Sequence, residues 1–367
     1  MGRRADLPRG RRVARGGRAA GPGGRRGGGS VRRAPAGPGG GGAGPLVTSR
    51  LTLDDVERAR RAIAPYLPPT PLRRSFALRS SGEAYLKLEC WQPTGSFKVR
   101  GATSVLAGLR PEEQRRGVVA ASAGNHALGV AFAAQALGGR AAATLFVPES
   151  APAAKVDKLR AFPVTVRQAG ATYDDAFALA MAHVEQTGAA YVHAFDDPGT
   201  AAGQGTVGLE ILDELPGLGA ILVPVGGGGL ITGVAAAVKS RAPHVQIVAV
   251  QPQASPALPE SLRQGRPLLE YPARPTLADG LAGGIGHLVF AHRDLIDDVV
   301  LVSEAEIEDA IVALLAEDQV VAEASGAVGV AALRSGRWRG DGRPVAAIVT
   351  GGNIDARVLG RLLSARA

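Results

Sequence analysis

The sequence lacks two features that would mark a secreted or a membrane protein. Cys90 is the only cysteine, so internal disulfides are excluded and a reducing, cytoplasmic location is expected. Residues 117–139 and 219–238 carry no charged side chain, but the first stretch contains Asn125 and the second contains a proline and four consecutive glycines. Neither stretch is typical of a bilayer helix, so we expect a soluble protein without membrane contact.

The positive charge is concentrated at the start of the chain. The formal net charge is +9, from 42 Lys and Arg against 33 Asp and Glu, yet residues 1–45 hold eleven Arg and a single acid, Asp6. Residues 46–367 therefore hold 31 basic and 32 acidic residues, a net charge of −1. The basicity does not mark the body of the protein as a nucleic-acid binder, and we expect no nucleic-acid partner. Contact of residues 1–45 with a nucleic acid or another anionic surface is the minor alternative.

The first 45 residues also hold 16 of the 51 glycines and almost no large apolar side chain. Such a segment cannot bury enough apolar surface to offset the entropy that it would lose on ordering. Residues 1–45 are therefore predicted to form a disordered Arg/Gly-rich tail. The rest of the chain is long enough for one large domain or two ordinary ones.

From Leu53 onward, helix-like and strand-like segments alternate. This alternation predicts an α/β fold with parallel sheets that are covered by helices on both faces. Residues 193–204 are interpreted as a loop. The predicted strands are residues 84–89, 117–121, 142–147, 164–168, 220–225, 245–250 and 345–349, and the predicted helices are residues 54–63, 96–109, 125–137, 153–161, 173–187, 205–215, 230–240, 303–315 and 325–333.

Ligands of such sheets bind where parallel strands end, so the turns that follow the strands are the candidate site. The first unusual turn, residues 93–101, places Lys98 in the first turn of a helix. The partial positive charge of a helix N-terminus disfavours a second cation there, which favours a neutral, nucleophilic amine. The alternative is an ordinary surface lysine at a helix start.

The second turn, residues 121–127, joins a strand of small residues to a helix that opens at Asn125. Exposed backbone N–H groups at a helix start can receive a carboxylate. Asn125 is alternatively a simple cap, and we interpret the His126 imidazole as a core side chain. The predicted carboxylate-binding residues are Ser122, Ala123, Gly124, Asn125 and His126.

The third and fourth turns are rich in glycine. Gly226, Gly227, Gly228 and Gly229 separate an apolar strand from a helix, and they match neither the Walker pattern nor the dinucleotide fingerprint, so we favour a monophosphate group there. The fourth turn, residues 350–353, offers the hydroxyl of Thr350. A lysine, a phosphate cup, carboxylate-binding amides and a hydroxyl for a ring nitrogen together suit a phosphorylated aldehyde cofactor held as a Schiff base.

These motifs resemble those of fold-type II pyridoxal-phosphate enzymes, and most closely the branch of threonine/serine dehydratases (ammonia-lyases) and serine racemases. The resemblance runs from about residue 48 to the end of the sequence. It implies a two-domain fold like that of the tryptophan synthase β subunit and a homodimer. The large cofactor-binding domain would comprise residues 46–118 and 197–367, and the inserted smaller domain residues 119–196. The motifs are Thr94-Gly95-Ser96-Phe97-Lys98, Ser122-Ala123-Gly124-Asn125-His126, Phe195-Asp196-Asp197-Pro198, Ala202-Gly203-Gln204-Gly205-Thr206, the Gly226–Gly229 run, Thr276-Leu277-Ala278-Asp279-Gly280 and Thr350-Gly351-Gly352-Asn353.

The resemblance also implies a role for each site residue. Lys98 would be the Schiff-base lysine and the base for the Cα proton. Phe97 would pack beside the pyridoxal 5'-phosphate ring, Asn125 would bind its phenolic oxygen, and Thr350 would face its pyridine nitrogen. The four glycines from Gly226 to Gly229 would hold its phosphate. The implied reaction is β-elimination, which converts a small L-3-hydroxy amino acid to a 2-oxo acid and ammonia.

Three departures from the family pattern narrow the function. Val99 stands where β-replacing relatives carry an aspartate, and Ala123 stands where racemases carry a second serine. Gln251 and Ala257 stand where metal-activated relatives supply carboxylates, so no metal is expected. The expected enzyme is a threonine or serine ammonia-lyase; an amino-acid racemase and a dehydratase of a specialised 3-hydroxy amino acid are the alternatives.

Other positions leave the regulation and the substrate open. Leu128 and the pair Phe162-Pro163 differ from the residues common in relatives, so the preferred substrate stays undefined. Glu323 is interpreted either as a neighbour of the cofactor or as an exposed helix-cap acid. Little sequence follows Asn353, and we therefore expect no domain for end-product inhibition.

Overall fold

The computed structural model describes residues 50–151 and 153–365, so the tail predicted for residues 1–45 lies outside the described residues. Strands in the described part form two sheets. The larger has the order β1-β2-β10-β7-β8-β9, and the smaller has the order β5-β4-β3-β6. Every pairing is parallel except β1 with β2. The strands are β1 Leu72–Arg74, β2 Ala84–Lys87, β3 Val118–Ala121, β4 Ala143–Val147, β5 Thr165–Gln168, β6 Ala190–Tyr191, β7 Ala220–Pro224, β8 Gln246–Pro252, β9 Asp298–Val302 and β10 Val345–Ile348.

Helices cover the larger sheet on both faces, as the alternation predicts. In β10, Ala347 packs into one apolar cluster with helix residues 304–334, whereas its neighbours Ala346 and Ile348 pack into a second cluster with residues 207–238. This alternation is what a strand buried on both sides requires. The helices are α1 Leu53–Ile63, α2 Lys98–Ala107, α3 Pro111–Arg116, α4 Asn125–Ala136, α5 Ala153–Arg160, α6 Tyr173–Thr187, α7 Pro198–Glu214, α8 Gly229–Arg241, α9 Ala257–Gln264, α10 His287–Ala291, α11 Glu304–Asp318, α12 Ala324–Arg334 and α13 Ala356–Ser364.

The interpretation of residues 193–204 as a loop is wrong over its second half. Helix α7 begins at Pro198, where Asp197 accepts a hydrogen bond from the backbone N–H of Thr200. The glycines of this segment serve helix packing and not a loop. A Cβ at Gly203 would lie 2.7 Å from the backbone of α2, and one at Gly205 would lie 2.6 Å from the backbone of α8.

The smaller sheet is built from strands between Val118 and Tyr191, and the larger sheet from strands on either side of that segment. The division into a large domain (46–118 and 197–367) and an inserted domain (119–196) stays a prediction. None of the helices in the described ranges is both long and apolar enough to cross a bilayer.

A buried ion-pair network anchors α2, the helix that begins at Lys98. The guanidinium of Arg100 is fully buried and donates to Glu89, which follows β2, and to Glu210 of α7, at 2.6–2.8 Å. Its remaining N–H donates to the hydroxyl of Thr206 at 3.1 Å, so all five N–H groups have partners. Burial alone would raise the pKa of Glu89, but Arg100 holds it below its ordinary value.

Replacing Arg100 by methionine should destabilise the protein by about 3–5 kcal/mol, because the buried Glu89 carboxylate would lose its ion-pair partner and Glu210 would keep only Lys87. The free energy of unfolding, measured by denaturant titration, tests this. Arg263→Met is the matched control, since Arg263 forms an exposed ion pair with Glu260 and its loss should have no measurable effect. Equal stability of the two variants would contradict the structural role of the network.

Candidate active site

The four turns singled out in the sequence line a single cavity of about 770 Å³. It lies where parallel strands of both sheets end, as expected for a parallel α/β fold. The structure therefore brings together every predicted site residue. These are Phe97, Lys98, Ser122, Ala123, Gly124, Asn125, His126, Gly226, Gly227, Gly228, Gly229 and Thr350.

Lys98 lies in the first turn of α2, as predicted, although the helix begins at Lys98 itself and not at Ser96. Lys98 also lines the cavity. Its Nζ donates to the carbonyl oxygen of Ala194 at 2.8 Å and lies 5.2 Å from the centre of the Phe97 ring. Burial lowers the pKa of Lys98 to about 8, and the carboxylate of Glu323 partly opposes this shift. A substantial share of the amine is therefore neutral near pH 8.

The segment before Lys98 is joined to the turn after β10. The backbone N–H of Phe97 donates to the carbonyl oxygen of Thr350 at 3.0 Å, and the N–H of Gly352 donates to the carbonyl oxygen of Gly95 at 2.9 Å. These bonds hold the lysine at the end of β10. From the other side, α4 packs so closely that a Cβ at Gly129 would lie 3.0 Å from the Lys98 backbone.

The glycine turn leaves no room for side chains. A Cβ at Gly227 would overlap the Phe195 ring, and one at Gly226 would lie 2.7 Å from the carbonyl oxygen of Gly280. Gly228 has φ +99° and precedes the first residue of α8. The N–H groups of that first helical turn have no partner within the helix, so the turn presents them together with the positive end of the helix. A phosphate group fits this cradle.

The remaining polar groups also fit a phosphorylated pyridine. Thr350 is buried, and its hydroxyl has only a long contact of 3.4 Å, to the carbonyl oxygen of Ser325. Nδ2 of Asn125 donates to Glu323 at 2.7 Å, which leaves its second N–H for another acceptor. The residues present therefore fit pyridoxal phosphate.

His126 lies in the core, as the sequence analysis preferred. Its ring is buried, with Nε2 2.8 Å from the carbonyl oxygen of Val192. Burial and the nearby Lys98 ammonium lower its pKa to about 3, so the ring is neutral. Its side chain therefore offers no cation for a substrate carboxylate, whereas the residues from Ser122 to Asn125 line the cavity.

Glu323 is not an exposed helix-cap acid, so that alternative is wrong. It precedes α12 without capping it, and its carboxylate accepts a hydrogen bond from Asn125 at the cavity wall. Burial raises the pKa of Glu323 to about 7, partly opposed by the Asn125 hydrogen bond. The carboxylate therefore changes charge within the physiological pH range.

Gln251 connects two segments next to the glycine turn. Its Nε2 donates to the carbonyl oxygen of Val225 at 3.1 Å, and its Oε1 accepts from the backbone N–H of Leu258 at 2.9 Å. Residues 50–151 and 153–365 contain no group of three or more His, Cys, Asp or Glu side chains placed to hold a metal ion. The absence of a metal from this protein stays a prediction.

The sequence analysis missed several residues of the cavity wall. Ala194 contributes the carbonyl partner of Lys98, and Lys155, Lys158 and Tyr173 also line the cavity. The lysines belong to α5 and the tyrosine opens α6. No turn glycine or motif marks them, because they reach the cavity only through the packing of the smaller sheet.

Comparison with known proteins agrees with this geometry. Residues 63–351 match the family model described as pyridoxal-phosphate dependent enzyme. An L-threonine ammonia-lyase of Thermotoga maritima is 46% identical over 318 residues, which span 86% of this chain and 78% of the relative. Maize serine racemase superposes with a TM-score of 0.81 at 33% identity over 87% of this chain and 98% of its own. The processed form of threonine deaminase isoform 2 from Solanum lycopersicum superposes with a TM-score of 0.79 at 34% identity over 85% of this chain and 87% of its own.

Fold and site together define an α/β enzyme of fold type II, with a buried lysine and a glycine-rich turn in one cavity. The chain belongs to the family of pyridoxal-phosphate dependent enzymes. Pyridoxal phosphate is its cofactor, as the sequence analysis predicts.

In the cofactor-free protein, acetylation of Lys98 by acetic anhydride should reach half its maximal rate near pH 8, because burial favours the neutral amine. Mass spectrometry of the Lys98 peptide measures this rate. Glu323→Gln should lower the midpoint, since the carboxylate favours the ammonium form. In the urea-unfolded control the midpoint should return to the ordinary value near 10.5. Equal midpoints in the folded and unfolded protein would refute a perturbed lysine.

Gly227→Ala should weaken cofactor binding at least about 10-fold, because the added methyl group overlaps Phe195 and must displace the turn. Absorbance titration of the cofactor-free protein with pyridoxal phosphate measures the dissociation constant. Gly360→Ala on α13 is the matched control, since a Cβ there meets open space and binding should not change. Wild-type affinity in Gly227→Ala would exclude this turn as the phosphate cradle.

Proposed function

We propose that this protein is an ammonia-lyase that converts a small L-3-hydroxy amino acid, threonine or serine, to a 2-oxo acid and ammonia. The observation that carries the proposal is the buried Lys98 amine, placed in one cavity with the glycine cradle and the Ser122–Asn125 backbone. The 46% identity to an L-threonine ammonia-lyase supports threonine as the substrate. Another relative, described as a catabolic L-threonine dehydratase of Staphylococcus aureus, is 40% identical over 316 residues.

Each predicted site residue has a proposed task. The amides of Gly226 to Gly229 bind the phosphate, Phe97 packs beside the ring, and Asn125 binds the phenolic oxygen. The backbone from Ser122 to His126 receives the substrate carboxylate. Bound pyridoxal phosphate supplies an electron sink for the carbanion that forms at the substrate Cα. The neutral hydroxyl of Thr350 binds the ring nitrogen without holding a proton on it. This makes a weaker sink, which suits elimination better than transamination.

Lys98 is the proposed base for the Cα proton. Its lowered pKa makes a substantial share of the amine neutral near pH 8, and the Ala194 carbonyl gives its Nζ a defined position. Because Lys98 is a member of α2, the Arg100 network and the bonds to the turn after β10 hold it in place. This fixed position favours repeated transfer of a proton at one face of the substrate.

The residue at position 123 favours elimination over racemisation. Racemisation requires a second acid or base on the opposite face, and Ala123 presents only a methyl group to the cavity. Elimination requires no acid or base on the opposite face, because the hydroxyl leaves after the Cα proton is removed. An amino-acid racemase therefore remains the secondary proposal, supported by the similarity to maize serine racemase.

A specialised, acidic 3-hydroxy amino acid is a second substrate candidate. Lys155 and Lys158 lie about one turn apart on α5, and both line the cavity. Helix α5 follows β4, which is the direct neighbour of β3 and of the carboxylate-binding turn. A second carboxylate on the substrate, as in 3-hydroxyaspartate, would face these cations.

We also propose that the protein is a cytoplasmic homodimer with the two domains predicted from the sequence. The family resemblance supports the dimer, and the single cysteine supports a reducing compartment. The separate sheets support the domain division.

Purified protein with pyridoxal phosphate should release 2-oxobutyrate from L-threonine or pyruvate from L-serine, and Lys98→Ala should release none. A coupled dehydrogenase assay measures both products, and chiral chromatography detects D-serine. L-threo-3-hydroxyaspartate is the third substrate, and Lys158→Ala should lower its kcat/KM without affecting threonine. If the wild type forms D-serine but no oxo acid from any of the three, the racemase replaces the lyase.

A further inference from the structure

Asn353 lies at one end of a short chain of side-chain hydrogen bonds that reaches the cavity. Its Nδ2 donates to the carbonyl oxygen of Thr94 and to Oδ1 of Asn125, both at 2.8 Å. Nδ2 of Asn125 in turn donates to Oε1 of Glu323 at 2.7 Å. Asn125 is thus held by one residue at its oxygen and by another at its nitrogen.

The two ends of this chain decide its direction. A backbone carbonyl and an ionised carboxylate only accept hydrogen bonds. The carbonyl of Thr94 therefore requires the NH₂ side of Asn353, and the carboxylate of Glu323 requires the NH₂ side of Asn125. The carbonyl of Asn125 must then face Asn353, which leaves one N–H of Asn125 for a partner in the cavity.

The side chain of Asn353 lies in a defined position beside Gly95. Its amide lies flat against Gly95, where a Cβ would come within 2.9 Å of Oδ1. Gly95 has φ +74°, and its carbonyl oxygen accepts from the backbone N–H of Gly352. Two hydrogen bonds from its Nδ2 hold the Asn353 amide in one orientation beside Gly95.

We propose that Asn353 is a positioning residue that determines which side of the Asn125 amide faces the cofactor. With Asn353 in place, the Asn125 carbonyl is occupied and its N–H faces the phenolic oxygen of pyridoxal phosphate. Without Asn353, only the bond to Glu323 still opposes a turn of the Asn125 amide that would set its carbonyl oxygen against that oxygen. The inference rests on the proposed assignment of Asn125 to the phenolic oxygen.

A double-mutant cycle with Asn353→Ala and Asn125→Ala tests the proposal, with the dissociation constant of pyridoxal phosphate and the absorbance spectrum of the bound cofactor as readouts. Asn353→Ala should weaken binding about 10-fold and change the spectrum, because one oriented hydrogen bond is lost. In the Asn125→Ala background it should have no further effect on either readout. Equal weakening in both backgrounds would overturn the proposal and leave Asn353 as a support of the loop before Lys98.

Asn353→Asp provides a second variant of nearly the same shape. An aspartate cannot donate to Thr94 or to Asn125, so binding should weaken at least as much as in the alanine variant. Far-UV circular dichroism and the Tm establish that each variant is folded; wild-type affinity and spectrum in a folded Asn353→Asp protein would also overturn the proposal. Neither readout needs turnover, so a protein that meets these expectations but releases no oxo acid contradicts only the proposed function.

Discussion

The position of Lys98 depends on the buried charges around Arg100. An isolated guanidinium in this place would be very costly, and the cost is offset only because Glu89 and Glu210 accept its hydrogen bonds from opposite sides. Lys87, also fully buried, adds a second cation that contacts Glu210 at 2.8 Å. Because these charges are satisfied in a single arrangement, the helix that carries Lys98 has one position relative to β2 and α7. The Lys98 amine is positioned by its helix and not by a direct ion pair of its own, and so it retains a lowered pKa.

The ionisable groups of the cavity differ from those of the Arg100 network. The Arg100 network consists of paired charges, whereas Lys98, Glu323 and Thr350 in the cavity are neutral or change charge near neutrality. Lys98 and Glu323 have pKa values of about 8 and about 7, and Thr350 offers a neutral hydroxyl. A carboxylate that loses its charge within this range also loses its requirement for a donor. The orientation of Asn125 and the ionisation of Glu323 are therefore physically linked.

Much of the fold and nearly all of the site could be predicted from the sequence, because glycines and strand-to-helix turns carry strong local signals. The place of Lys98 in the first turn of α2 and the glycine turn before α8 follow from short-range stereochemistry. The start of α7 could not be predicted in this way, because Gly203 and Gly205 suggest a loop when their packing partners are unknown. The short strand β1 and the α5 lysines on the cavity wall were also missed, since pairing and packing between distant segments place them there. Whether Glu323 lies beside the cofactor or is exposed to solvent was left open for the same reason.

The close packing around Lys98 is made largely by backbone atoms. Gly101, Gly129, Gly203, Gly205 and Gly233 each bring two segments to within the distance of a single Cβ. Contacts of this kind offer no side chain that can be exchanged for a slightly larger or smaller one. The backbone around Lys98 therefore has little room for substitution, whereas the long side chains of α5 and α6 line the cavity and can be replaced one at a time.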